Sequence, residues 1–208
     1  MTDWGALYRD HVAAVTALAE SLTAAELEVD VPGTPAWTVR DVLAHLAGGP
    51  VDAATGRMDG APGPEWTARH VGERAHLPVD VLVAEMREHQ DVIAGSAVDD
   101  PRPGIVWDIA VHHADLHEAL GRGRLPEPLW VPVLDQLGAA RAPGLVGTVD
   151  PYELFRALFS RRSRDQMRAW GLDDDVIEAV CIFGPRDDDQ PLPKGEHASP
   201  NGAAATGG

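Results

Sequence analysis

Four segments of the chain repeat bulky apolar residues at intervals of three and four, and glycine or proline closes off the last three. That spacing traces one face of an α-helix and points away from a sheet. In the first segment, Trp4, Tyr8, Val15, Leu18 and Leu22 fall on one face between Asp3 and Leu22. The second, TVRDVLAHLAG, begins with Thr38 as N-cap and Asp41 three residues on, a shortened capping box, and fades at Gly48, Gly49 and Pro50. Pro78 opens the third, VDVLVAEMREHQDVIAG, with Val79, Leu82, Met86, His89 and Ile93 on its inner face. The fourth, WDIAVHHADLHEALG, runs from Trp107 to a stop at Gly121. A shorter helix is expected from Glu65 to Arg74. Four helices with one inner face each predict an all-α, antiparallel four-helix bundle over residues 1–123.

The pattern changes after the bundle. Over 124–184, LWVPVLDQLGAA reads as helical and PYELFRALFSRRSRDQMRAW as one clear helix with Pro151 at its start, the two separated by loops. Residues 185–208 are polar and rich in Gly and Pro. They read as a disordered tail, so deletion from Asp187 onward should leave folding intact.

At 208 residues and 44% hydrophobic, the chain is long enough to bury a core. Its formal net charge of −16 repels nucleic-acid phosphates and anionic membranes, so neither is an expected partner; small molecules and metal cations fit better. The single cysteine, Cys181, excludes an internal disulfide. No basic start leads into an apolar run, and no apolar run reaches the ~20 residues of a bilayer span. The sequence therefore reads as cytoplasmic.

The fourth segment carries the densest chemistry. At about 100° per residue, Asp108, His112 and Asp115 lie within roughly 60° of one another, on the inner or semi-inner side, whereas His113 and His117 point nearly opposite and should face out. Asp and His four residues apart on a helix can each give one ligand atom to a cation. Two ligands do not make a site, and His45, at the edge of the Val39, Val42 and Leu46 stripe, is the third candidate. A His/Asp/His set with a fourth position open suits Zn²⁺ or another divalent transition metal. The same spacing also occurs in polar helix faces with no metal. His11 and His89, also inward, could be hydrogen-bonded core histidines or competing ligands. His70, His76 and His197 read as surface residues.

The segments TPAWTVRDVLAHLAG, DGAPGPEWTARHVGERAHLPV, WDIAVHHADLHEALGRGRLPE, VDPYELFRALFSRRSRDQ and FGPRDDDQP together resemble the actinobacterial maleylpyruvate isomerase family, the mycothiol-dependent branch of the DinB-like metal-binding bundles. The resemblance implies a bundle holding Zn²⁺ or a similar divalent ion on His45, Asp108 and His112, with the free position open to water, thiol or substrate. It also implies mycothiol as thiol cosubstrate and a small electrophile as substrate. In the isomerase reading a thiolate adds to a conjugated cis double bond, the bond rotates, and elimination releases the trans product. In the transferase reading the same thiolate leaves as a stable adduct. A metal-dependent hydrolase using metal-bound water, or a metal- or ligand-binding protein without turnover, are the alternatives. Five arginines, Arg156, Arg161, Arg162, Arg164 and Arg168, gather in one stretch, where they could pair with DDDVIE or dock an anion. The family points to a C-terminal arginine for the substrate carboxylate, here Arg162. Asp115 is expected to orient a neighbouring group. Cys181 reads as a small buried hydrophobe. Relatives carry a longer segment where this chain has AARAPGLVGTVD, so a reduced, mainly helical C-terminal appendage is expected. Ser160 stands where relatives often have Gly, a change expected to matter little at a helical position.

Overall fold

The computed structural model describes residues 2–193, and the expected tail from 194 onward lies outside them. Among the described residues the chain is all helical, with only isolated bridges in place of strands. The long helices are α1 (Trp4–Ser21), α3 (Val39–Thr55), α5 (Val79–Ala97) and α6 (Gly104–Ala119), with the single turn α2 (Ala24–Leu27) and α4 (Pro64–Arg74) between them. Asp3 caps α1 through Ala6 N at 2.8 Å, and full capping boxes start α2 (Thr23, Glu26) and α3 (Thr38, Asp41). α1 and α3 each pack on α5 and α6. Their shared interior includes Val12, Val15, Leu43, Leu46, Leu82, Met86 and Ile109, all buried. Each fully buried Leu or Met contributes about 1.5–3 kcal/mol.

α3 does not end at its glycines. It continues through Pro50 to Thr55 and stops at Gly56, whose φ of 76° supplies the left-handed C-cap. Pro50 lacks an N–H for the Leu46 carbonyl, but both flanks are packed, so tertiary burial overrides the local break. Gly48 has a separate purpose. A Cβ there would lie 2.6 Å from His70 Cγ, whereas one at Gly95 in α5 would meet nothing within 4 Å. Gly48→Ala is therefore expected to lower the thermal midpoint, overpacking by about 1–3 kcal/mol outweighing the helix-propensity gain of about 1 kcal/mol. Gly95→Ala should raise it, and thermal melts of the two variants compare the signs directly.

The C-terminal part comprises α7 (Glu127–Arg141), α8 (Pro151–Leu158), α9 (Arg164–Ala169) and α10 (Asp174–Val180). Its buried residues, from Trp130 to Cys181, join the bundle core without a gap. The single helix expected from Pro151 to Trp170 is broken. Ser160 has φ 59°, and Arg161 N bonds to Arg156 O at 3.0 Å, closing α8 before Ser163 caps α9. A glycine would take this left-handed backbone without a Cβ penalty, so the Ser-for-Gly difference sits at a turn and not at a helical position. Ser160 Oγ accepts from Phe183 N at 3.3 Å, which ties the turn down.

Residues 185–193 also depart from the expected tail. Arg164 N donates to Arg186 O at 2.8 Å, Arg186 Nη1 to Gly33 O at 3.2 Å, and Gln190 N to Gln166 Oε1 at 3.2 Å. Gln190 is buried, and Asp189 accepts from the Ser163 hydroxyl. A polar segment is held here by hydrogen bonds, which apolar periodicity does not reveal. Truncation from Asp187 would leave Ser163 and Gln166 without these partners.

Candidate metal centre

α3 and α6 bring His45, Asp108 and His112 to one place, where one ligand atom from each lies within 4.8 Å of the others. His45 Nε2 is 3.1 Å from Asp108 Oδ2, and His112 Nε2 is 3.6 Å from Asp108 Oδ1. His45 and His112 are buried, whereas the Asp108 side chain is 41% exposed and forms the open side. Trp37, just before the α3 cap, covers both imidazoles, with ring centroids 5.1 Å from His45 and 5.7 Å from His112. Burial raises the Asp108 carboxyl, but the His45 and His112 rings outweigh it and hold it down at about 2. Burial likewise pushes His112 below the ordinary imidazole range against the pull of Asp108 and Asp115.

Both imidazoles are backed by further polar groups. His112 Nδ1 lies 3.0 Å from Asp115 Oδ2, a close contact whose angles fall outside those of a hydrogen bond. Asp115 is in turn gripped by Arg156 and by Arg161, whose Nη2 donates at 2.9 Å. On the other flank, His45 Nδ1 is 3.1 Å from His70 Nδ1, and His70 Nε2 is 2.9 Å from Asp52 Oδ2. His70 and Asp52 are fully buried. Burial lowers His70, partly offset by its hydrogen bond to Asp52. The Asp52 carboxyl, which burial alone would raise, is held below its ordinary value by His70 and Arg69.

A family model described as the mycothiol maleylpyruvate isomerase N-terminal domain matches residues 8–154. The chain belongs to this family. No curated protein and no solved structure matches it. The family match runs from within α1 to within α8 and so includes all three candidate ligands of this mycothiol maleylpyruvate isomerase N-terminal domain.

Other site candidates fall elsewhere. Arg162 is fully buried, with Nη2 donating to Glu118 Oε1 at 2.9 Å and Nε to Glu153. Its guanidinium is taken up by the protein's own carboxylates. The five arginines divide accordingly: Arg164 and Arg168 pair at the surface with Glu178, Asp165 and Asp174, while Arg156, Arg161 and Arg162 turn inward. α8 carries Arg156 onto α6, and the turn at Ser160 brings Arg161 and Arg162 there beside it.

His113 and His70, read as surface residues, are buried at 1% and 0% exposure, and His117 is half-buried. α7 explains the first: it covers the side of α6 that a four-helix reading leaves to solvent, and His11, bonded through Nε2 to Leu129 O at 2.9 Å, faces His113 with Nδ1 atoms 3.1 Å apart. His11, His113 and His117 thus form a second imidazole group away from the ligand set. His89 is half-buried and His76 exposed; His197 lies outside the described residues.

Burial pushes His11 down to about 4. The neutral ring therefore stabilises the fold fully above the unfolded value of about 6.5, and that stability is lost as pH falls towards 4. The expected loss from His11 is about 3 kcal/mol across that window. Urea unfolding at pH 7, 5.5 and 4.5 measures it, with His11→Asn flattening the slope.

Proposed function

We propose that this chain is a divalent-metal-dependent, mycothiol-dependent isomerase or S-transferase acting on a small electrophile. One observation carries the reading: two buried imidazoles direct Nε2 at one half-exposed carboxylate, while protein groups occupy the far side of both rings. Such a donor set fits Zn²⁺ or a similar ion with a position left open. When bound there, a divalent ion favours the thiolate form of a coordinated thiol at neutral pH.

The remaining work falls to the chain's own residues. His45, Asp108 and His112 hold the ion, Trp37 shields their rings from water on one side, and Asp115 orients His112. Arg161 adds its charge behind Asp108, and its donors, held by Asp115 and the Phe159 carbonyl, are as fully taken up by the protein as those of Arg162. The sulfur comes from outside, because Cys181 is buried, its Sγ 3.9 Å from Met167 Sδ, and burial pushes its thiol up to about 11.

Metal analysis of the purified protein, combined with calorimetric titration of mycothiol, tests the proposal. Stoichiometric divalent metal and metal-dependent thiol binding are expected, and Cys181→Ser should retain both along with thiol-dependent turnover. A protein that takes up no divalent metal overturns the reading, and full turnover without added thiol moves it to hydrolysis.

A further inference from the structure

We infer that Asp52 and His70 are positioning residues of the metal centre: the buried run Asp52–His70–His45 locks His45 into the tautomer that presents an Nε2 lone pair to the ion. The inference rests on the proposed metal reading and concerns residues that do not touch the ion.

Proton accounting gives the direction. Asp52 is fully buried and accepts from Arg69, so it is a carboxylate with only acceptor capacity to offer. His70 Nε2, 2.9 Å from it, must therefore carry the proton. A neutral His70 then has a lone pair on Nδ1. That atom lies 3.1 Å from His45 Nδ1, which must be the donor of the pair. A neutral His45 protonated on Nδ1 has its lone pair on Nε2, the atom that faces Asp108. In the ion's absence the Asp108 carboxylate competes for a proton on Nε2, but it is 41% exposed and can turn to water, whereas Asp52 is fully buried and cannot; with an ion on Nε2 each link admits one orientation, set by the charge at Asp52. Burying a carboxylate is costly unless it is paired and hydrogen-bonded, and Arg57 Nε at 3.6 Å joins Arg69 in meeting that need.

The backbone is built to permit the arrangement. Asp52 is on α3 only because the helix runs on past Pro50, and His70 reaches His45 only because Gly48 offers no Cβ. Trp66, one turn before His70 on α4, packs edge-on at 4.1 Å and fixes the ring plane.

Asp52→Asn is the decisive variant, since it keeps the shape and reverses the proton order. The new amide oxygen stays with Arg69, its NH₂ turns to His70 Nε2, and the relay inverts, so that His45 carries its proton on Nε2. In ¹⁵N imidazole spectra of the metal-free protein at fixed pH, His45 is expected to show Nδ1–H in the wild type and Nε2–H in the variant. Affinity for Zn²⁺, measured by chelator competition, should fall about 10- to 100-fold. His70→Asn, which retains a carbonyl acceptor near Nδ1, should preserve the His45 tautomer better than His70→Phe. This pair decides the matter if Asp52→Asn does not fold.

An unchanged His45 spectrum in Asp52→Asn, with or without weaker metal binding, overturns the inference, as does equal loss in the two His70 variants. A wild type that binds no metal overturns the proposed function instead, and the tautomer spectra of metal-free protein still decide the relay.

Discussion

His112→Ala is expected to take metal content from one equivalent to none, while His117→Ala leaves it unchanged. The contrast follows from where α6 points its two faces. His112 Nε2 faces Asp108 at 3.6 Å, opposite the His45 imidazole across a ring separation of 5.0 Å. His117 instead packs edge-on against His113, with ring centroids 5.0 Å apart. Removing one of three protein ligands leaves two, too few to hold a labile divalent ion in the presence of water and buffer. Inductively coupled plasma analysis after dialysis gives the stoichiometry, and circular dichroism shows whether each variant is folded. Loss in His117→Ala alone would place the ion on the other histidine group. Retention of full metal by His112→Ala would remove α6 from the centre.

The convergence of His45, Asp108 and His112 was legible because it obeys local rules. Asp108 and His112 are one helical turn apart, and the capped start at Thr38 fixes the phase of α3 well enough to place His45 inward. The relay behind it was hidden by Pro50. A helix read as ending at the Gly-Gly-Pro run cannot deliver Asp52, and without Asp52 there is no reason to bury His70. A signal was nonetheless present: Trp66, His70 and Arg74 form an i, i+4, i+8 stripe on α4, and all three are buried. Two adjacent glycines inside a capped helix also announce a close neighbour.

His113 was misplaced for a different reason. The angles along α6 do place His113 nearly opposite Asp108, but an outer face becomes an inner one when α7 lies against it, and helix phase alone does not count layers. Ser160 shows the opposite limit. The 3.6-residue pattern continues across it, and only the left-handed backbone reveals that the segment turns back. That turn is what separates a row of arginines on a helix surface from a buried ion cluster.

Arg156→Met should be the most destabilising single substitution in that cluster. Arg156 is fully buried on α8 and donates through Nε to Glu118 Oε1 at 3.0 Å, through Nη1 to Val111 O at 3.1 Å, and through Nη2 to Asp115 and Glu118. Neighbouring Asp115 and Glu118 hold its guanidinium well above the usual range despite burial, and Arg161 and Arg156 hold Asp115 well below. Methionine fills similar space without charge, leaving Asp115 to Arg161 alone and Glu118 to Arg162 alone. Breaking a buried pair on one side costs about 3–5 kcal/mol. The cost should depend on pH in a defined sense. In the variant, under-compensated Asp115 binds protons more readily when folded, so the deficit against the wild type should narrow as pH falls towards the carboxylate range and be fullest near neutrality. Urea titrations of both proteins at pH 7 and pH 5 read this difference. The same substitution loosens Asp115 behind His112, so weaker Zn²⁺ binding should accompany the lost stability. A variant as stable as the wild type at pH 7 would show that the cluster is not a mutually dependent unit, and that Arg161 alone suffices to hold Asp115 against His112.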